Sequence, residues 1–214
     1  MCGLIGIVSK NIIPKDTLKT LIVQSKIRGQ HATGISYLEN QTIKTKIISK
    51  EATFMDFSDV NTKCLIGHAR YSTSSLNYNQ PIYYKDISIV HNGVITQEES
   101  ANWDSNYDFQ TENDSEFILK SFIENKHPIK EYENASIASI IINNKEQELS
   151  FFRNEKRPLY YSKEKDMYVI ASTKNILLRS NFININKCDC CVNYTIKDHK
   201  LSKFKIRDIN VDLQ

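Results

Sequence analysis

Residues 137–142 read Ile-Ala-Ser-Ile-Ile-Ile, apolar at nearly every position rather than at every second one. A strand with one wet face alternates apolar and polar side chains, so a strand that does not alternate is covered on both faces. In a chain of mixed elements the covers are helices or a second sheet. Strand-like runs fall at 3–9, 33–38, 42–49, 64–70, 87–91, 136–142, 148–153, 158–161, 167–172, 182–186, 191–197 and 201–206. Leu18, Leu21, Ile22 and Ser25 recur at helical spacing behind Pro14. A second helix is expected over 116–125, with Phe117, Ile118, Phe122 and Ile123 as its apolar face and Asn113 or Asp114 as its cap. A short helix is expected near 174–180, while the polar, acidic stretch 96–112 reads as a long loop or a weak helix. The last third is mostly β and hairpin-like. That order favours an α+β fold of layered sheets between helices over a doubly wound parallel sheet.

Composition excludes several classes of function. The 28 Lys and Arg nearly balance the 25 Asp and Glu, leaving +3, and the pI of about 8.5 falls short of the basic footprint of a nucleic-acid binder. Mean hydropathy is −0.44, and no apolar run approaches the ~18 residues of a membrane span. With 214 residues, the chain is expected to be a single domain over 1–214. The five cysteines, Cys2, Cys64, Cys188, Cys190 and Cys191, include an adjacent pair and are odd in number, a poor disulfide framework. The start lacks the basic region of a secretory signal, so a reducing cytoplasm is the expected compartment. Cys188, Cys190, Cys191 and His199 match no strong zinc spacing, and no metal is expected; buried or edge-strand thiols are the simpler reading.

Glycine points to a site. There are six, about 3% against a typical ~7%, and all of them (Gly3, Gly6, Gly29, Gly34, Gly67, Gly93) fall within the first 93 residues. A chain this poor in glycine keeps it where the backbone demands it. Cys2 heads the first cluster. Removal of Met1, favoured by a small second residue, would leave one residue with both a thiol and a free α-amino group. The two groups titrate closely enough in reference peptides for the amine to act as base near neutrality. Taken singly, each signal has a bland reading: His91-Asn92-Gly93 can be a hairpin turn, and a lone Arg or Asp is usually solvated.

Their order is more specific. Cys2-Gly3-Leu4-Ile5-Gly6, Arg28-Gly29-Gln30-His31-Ala32-Thr33-Gly34, Gly67-His68-Ala69-Arg70-Tyr71-Ser72-Thr73, His91-Asn92-Gly93 and Asn113-Asp114-Ser115-Glu116 follow one another. Together they resemble the class II glutamine amidotransferases. That family opens with Cys-Gly-Ile-x-Gly after the initiator and continues with Arg-Gly-x-Asp-Ser-x-Gly, Gly-His-x-Arg-Trp-x-Thr, Asn-x-x-Pro, His-Asn-Gly and Asp-Thr/Ser-Glu. Asn77 to Pro81 looks like a shifted Asn-x-x-Pro; Arg153 to Tyr160 and Ala171-Ser172-Thr173 resemble later family segments. The resemblance spans residues 2 to about 206.

It implies a four-layer αββα sandwich of the N-terminal-nucleophile hydrolase type. It also implies Cys2 as nucleophile toward the side-chain amide of L-glutamine, passing through a γ-glutamyl thioester and releasing ammonia. Asn92 and the Gly93 N–H would hold the oxyanion. Arg70 would grip the α-carboxylate and Asp114 the α-ammonium, with Tyr71 and Thr73 adding contacts. Arg28 and Gly29 would support the Cys2 pocket, and His68 and His91 are expected to be structural. No cofactor is implied. Three departures touch the loop expected to close over glutamine: Tyr71 for Trp, His31 for Asp, and Ser74-Ser75 for His-Gly. The residues leave no room for a synthase, so ammonia is expected to pass to a separate synthase subunit. The alternatives are an amidase acting on another γ-glutamyl amide, a different N-terminal-cysteine amidase, and a non-catalytic glutamine-sensing domain.

Overall fold

The computed structural model describes residues 2–72, 78–103 and 106–207. In chain order the elements are β1 (Gly3–Ser9), α1 (Lys15–Ser25), β2 (Ala32–Glu39), β3 (Thr42–Ile48), β4 (Cys64–Arg70), β5 (Ile82–Tyr84) and β6 (Ile87–Val94). There follow α2 (Glu116–Ile123), α3 (Pro128–Glu131), β7 (Ser136–Asn143), β8 (Glu148–Arg153), β9 (Tyr160–Glu164) and β10 (Met167–Ala171). The chain closes with α4 (Lys174–Arg179), β11 (Ile185–Lys187), β12 (Val192–Lys197) and β13 (Lys200–Lys205). Among the described residues the strands form two sheets, ordered β11-β9-β10-β1-β4-β2-β3 and β13-β12-β8-β7-β6-β5. β1 lies inside the first, antiparallel to β10 on one side and β4 on the other, with Ile5 opposite Ala171 and Gly3 opposite Ala69.

The layers explain the run at 137–142. Ile137 and Ile141 pack outward with Ile118 and Leu119 of α2 and Ile129 of α3. Ala138, Ile140 and Ile142 point the other way and meet Leu4, Ile66 and Ile170 of the first sheet. Beyond that sheet, Ile5, Ile7, Ile35 and Leu65 pack with Leu18, Leu21 and Ile22 of α1 and with Ile176 and Leu177 of α4. Helix, sheet, sheet and helix stack in that order, an α+β αββα sandwich. Each fully buried aliphatic side chain contributes roughly 1.5–3 kcal/mol of transfer free energy, so strands covered twice anchor the fold.

Several local expectations shift. Pro158 lacks an N–H, and the Leu159 carbonyl accepts from Cys188 N at 3.0 Å, so β9 begins at Tyr160 rather than 158. Phe182 closes α4 through its N–H to Leu177 O at 3.0 Å, which delays β11 to Ile185. β5 and α3 have three and four residues, too short to leave a period in the sequence. The stretch 96–112 contains a 3₁₀ turn at Ser100–Asn102 and an aromatic cluster of Trp103 and Phe109 against Phe117. Glu116, at the start of α2, is fully buried. Its carboxylate ties that stretch down, accepting from Gln110 N at 2.8 Å and from Thr111 N and Oγ1 at 2.7 Å. Asp114 does not cap α2: the residue preceding the helix is Ser115, whose side chain makes no capping bond, and Asp114 turns elsewhere.

Candidate active site

Cys2 stands where β1 begins, held on both sides by its neighbours. Leu4 N donates to Ser172 Oγ at 2.7 Å, and Ser172 N donates back to Leu4 O at 3.1 Å. From the opposite sheet, the last turns of β6 bring in Asn92. Cys2 N donates to Asn92 Oδ1 at 3.1 Å, and the Cys2 thiol faces the Tyr71 carbonyl at 3.9 Å. Because the Cys2 N–H is a donor, it fixes Oδ1 as the amide atom that faces it, which leaves Nδ2 pointing elsewhere. Asn92 is 3% exposed, and its Nδ2 is buried with no hydrogen-bond partner among the described residues. A buried amide donor left unpaired costs ~1–3 kcal/mol. Gly93 follows it, and a Cβ there would lie 1.7 Å from Ser136 O and 2.5 Å from His91 Nε2, so no other residue fits without moving β7.

Arg70 ends β4 and Asp114 precedes α2, and both line one cleft of about 790 Å³, shared with Tyr78, Val94, Thr96 and Trp103. Arg70 Nη1 donates to Tyr78 O and to Asn79 Oδ1, each at 2.7 Å. Burial lowers the Arg70 guanidinium from its ordinary value, and the charge of Cys2 opposes that shift. Asp114 Oδ2 accepts from Ile95 N at 2.6 Å and Thr96 N at 3.3 Å, a backbone cradle that aims the carboxylate at the cleft wall. A cation and an anion on one cleft wall suit a zwitterion such as a free amino acid. Tyr71, next to Arg70, is 53% exposed. Thr73 lies outside the described residues, as do Met1, Ser74, Ser75 and Asn77.

Arg28 and Gly29 occupy the 3₁₀ turn after α1 and its end. Burial lowers Arg28, while Cys2 raises it, so this guanidinium also senses the thiol. A Cβ on Gly29 would come within 2.3 Å of Arg70 C and 2.4 Å of Ala69 O. The turn therefore rests directly on the strand end that carries Arg70.

A buried network joins these parts, and the sequence reading missed it. Gln80 Oε1 accepts from His91 N at 2.5 Å, and Gln80 Nε2 donates to Ser115 Oγ at 2.9 Å. His91 Nε2 lies 3.1 Å from Ser136 O, so it carries the proton, and Ser115 Oγ donates to Nδ1 at 2.9 Å. His91 precedes Asn92, Ser115 follows Asp114, and Tyr78 and Asn79 hold Arg70, so segment 78–80 braces all three. The position of Gln80 next to Pro81 in the shifted Asn-x-x-Pro element was the available signal. Burial lowers His91, with Asp114 pulling the other way. Burial also pushes His68 down to about 3.

The remaining cysteines lie away from this site. Cys188 and Cys191 are buried; burial raises both thiols, Cys191 to about 11. Cys191 Sγ donates to Glu155 Oε1 at 3.2 Å. Among the described residues no three His, Cys, Asp or Glu side chains group to hold a metal. No helix among them is long and apolar enough to cross a membrane.

A family model for the glutamine amidotransferase domain matches residues 53–205. The chain belongs to the class II glutamine amidotransferase domain family. This amidotransferase domain is 28% identical to a glutamine–fructose-6-phosphate aminotransferase of Vibrio vulnificus over 130 residues, 55% of this chain and 21% of that protein. It is 31% identical to an amidophosphoribosyltransferase of Pyrococcus horikoshii over 146 residues, 61% of this chain and 31% of that protein. The domain thus spans less than a third of either relative. A solved glutamine phosphoribosylpyrophosphate amidotransferase from B. subtilis shares its fold, with a TM-score of 0.77 and 21% identity over 98% of this chain and 50% of that one.

Proposed function

We propose that this amidotransferase domain hydrolyses L-glutamine with Cys2 as an N-terminal nucleophile, the whole of 1–214 acting as one glutaminase domain. Loss of Met1 frees the Cys2 α-amino group, whose nitrogen faces Asn92 Oδ1 at 3.1 Å. That amine takes the thiol proton as Sγ attacks the glutamine amide carbon. The oxyanion so formed accepts from Asn92 Nδ2 and the Gly93 N–H. Collapse returns the proton to the leaving nitrogen, ammonia departs, and a γ-glutamyl thioester remains. Water attacks the thioester, the amine again serving as base, and glutamate leaves. Arg70 holds the α-carboxylate and Asp114 the α-ammonium, with Tyr71 and Thr73 closing over the substrate and Arg28 and Gly29 supporting the pocket.

The observation that carries this reading is the Asn92 amide: one end is tied to Cys2 N, and the other is a buried donor with no partner among the described residues. A folded chain keeps such a cost where the group has a task. The names of the Vibrio relative and of the solved B. subtilis enzyme pair glutamine with fructose-6-phosphate and with phosphoribosylpyrophosphate. We infer that the ammonia released here goes to a separate synthase subunit in the cytoplasm.

The test is intact mass before and after incubation with a glutamine-like diazo-ketone, with Cys2→Ala as control. Loss of Met1 and one adduct absent from the Cys2→Ala protein supports the reading. A retained Met1 with no adduct refutes it and leaves a glutamine-binding domain. Labelling without glutaminase turnover turns the search to other γ-glutamyl amides.

A further inference from the structure

We propose that His31 is a positioning residue that pins the segment Arg70–Ser72 against the Cys2 thiol. As a statement about glutamine binding, it rests on the glutaminase reading above. His31 stands where the family motif has Asp, and it is solvent-exposed, so burial does not account for its contacts. Three contacts converge on it. His31 N donates to Arg70 O at 3.0 Å, just outside the β2–β4 ladder, whose last pair is Ala32 with Arg70. Its imidazole lies 5.1 Å from the Tyr71 ring, with the planes inclined by 31°. Beyond the strand end the side chain replaces the main chain: Ser72 N donates to His31 Nδ1 at 2.9 Å.

The chemistry of this clasp is specific. An N–H donor at Nδ1 requires that nitrogen to be unprotonated, so the ring proton sits on Nε2. The clasp acts on the site through Tyr71, whose ring lies tilted against His31 while its carbonyl faces Cys2 Sγ at 3.9 Å. Fixing the N–H on one side of that residue and the carbonyl before it leaves the Tyr71 backbone little freedom. Arg70, whose guanidinium lines the cleft, is the residue at the other end of the same clasp.

His31→Asn and His31→Phe separate the acceptor from the ring. The Asn side-chain oxygen sits on the same γ-carbon as Nδ1 and can accept from Ser72 N; Phe keeps the ring against Tyr71 and has no acceptor. Because the residue is exposed, both variants are expected to fold like the wild type. Amide hydrogen exchange at Ser72 reads the clasp without any need for turnover. We expect exchange at least about tenfold faster in His31→Phe and within about threefold of wild type in His31→Asn. In steady-state glutamine hydrolysis, KM rises about fivefold in His31→Phe with kcat within about twofold, and His31→Asn restores KM, as loss of uniform binding requires. Unchanged Ser72 exchange in His31→Phe overturns the clasp. An unchanged KM in an active enzyme overturns its role in substrate binding. A wild-type protein inert toward glutamine refutes the glutaminase reading alone, and the exchange comparison still decides the clasp.

Discussion

Replacing Asn92 by Ala separates the cost of the site from its use. The side chain makes one protein hydrogen bond, from Cys2 N to Oδ1 at 3.1 Å, and its loss costs ~0.5–1.5 kcal/mol net. Against this, the substitution removes a buried donor that has no partner, whose burial costs ~1–3 kcal/mol. The two effects offset, so the stability of Asn92→Ala is expected within about 1 kcal/mol of wild type. Turnover behaves differently. If Nδ2 stabilises the oxyanion, its removal raises the barrier by ~2.7–4 kcal/mol, a fall in kcat of ~100- to 1,000-fold. Urea melts and initial rates of glutamate release on the same preparations measure both quantities. A kcat within tenfold of wild type refutes the oxyanion assignment. A stability loss above ~2 kcal/mol would show instead that the amide holds the fold and that its unpartnered end has a structural reason.

Three further outcomes follow from the same geometry. Gly93→Ala sets a Cβ 1.7 Å from Ser136 O, so β6 and β7 must part; we expect a loss of ~1–3 kcal/mol in urea melts, with glutamate release falling further than in Asn92→Ala. Gln80→Met keeps the volume but strands His91 N and removes the donor to Ser115 Oγ; unfolding should be easier by ~1–3 kcal/mol for the orphaned N–H alone, and an unchanged melt would dismiss the brace. Acid should destabilise the fold through its buried imidazoles. Burial holds His68 near 3 and His127 near 4, from an ordinary 6.5. Below pH 6.5 the unfolded chain binds protons that the folded one refuses, so stability is lost as pH falls from 6.5 toward 4 and 3. Each imidazole contributes about 2 kcal/mol to the loss by pH 5, and urea melts at pH 7 and pH 5 that coincide would contradict it.

The sandwich was legible because its strands are buried twice, and residues 137–142 carry that fact in their composition alone. The candidate site residues stood out for a different reason. Cys2, Arg70, Asn92, Gly93 and Asp114 fall in short motifs whose order resembles that of the family, and the fold brings Cys2 to Asn92 and sets Arg70 and Asp114 on one cleft. What the sequence hid is what depends on partners far along the chain. Gln80 looks like any polar loop residue until Ser115, 35 positions away, and His91 close around it. Asp114 looked like a helix cap because Asp before an apolar run usually is one; backbone N–H groups of Ile95 and Thr96 claimed its carboxylate instead. His31 reads as a departure from a motif, and only the fold shows that Ser72 N uses it.

The central position of β1 bears on the order of events during synthesis. Its neighbours are β4, complete at Arg70, and β10, complete only at Ala171. The strand that follows Cys2 therefore cannot gain its second edge until about four-fifths of the chain has left the ribosome. At ~5–20 residues per second that is a delay of roughly 9–34 s. On the N-terminal-nucleophile reading proposed above, Met1 would be removed within that interval, before Ser172, which follows β10, closes on Leu4 beside Cys2. Pairing of β10 then secures from both sides the strand that follows Cys2, so on that reading processing comes before enclosure.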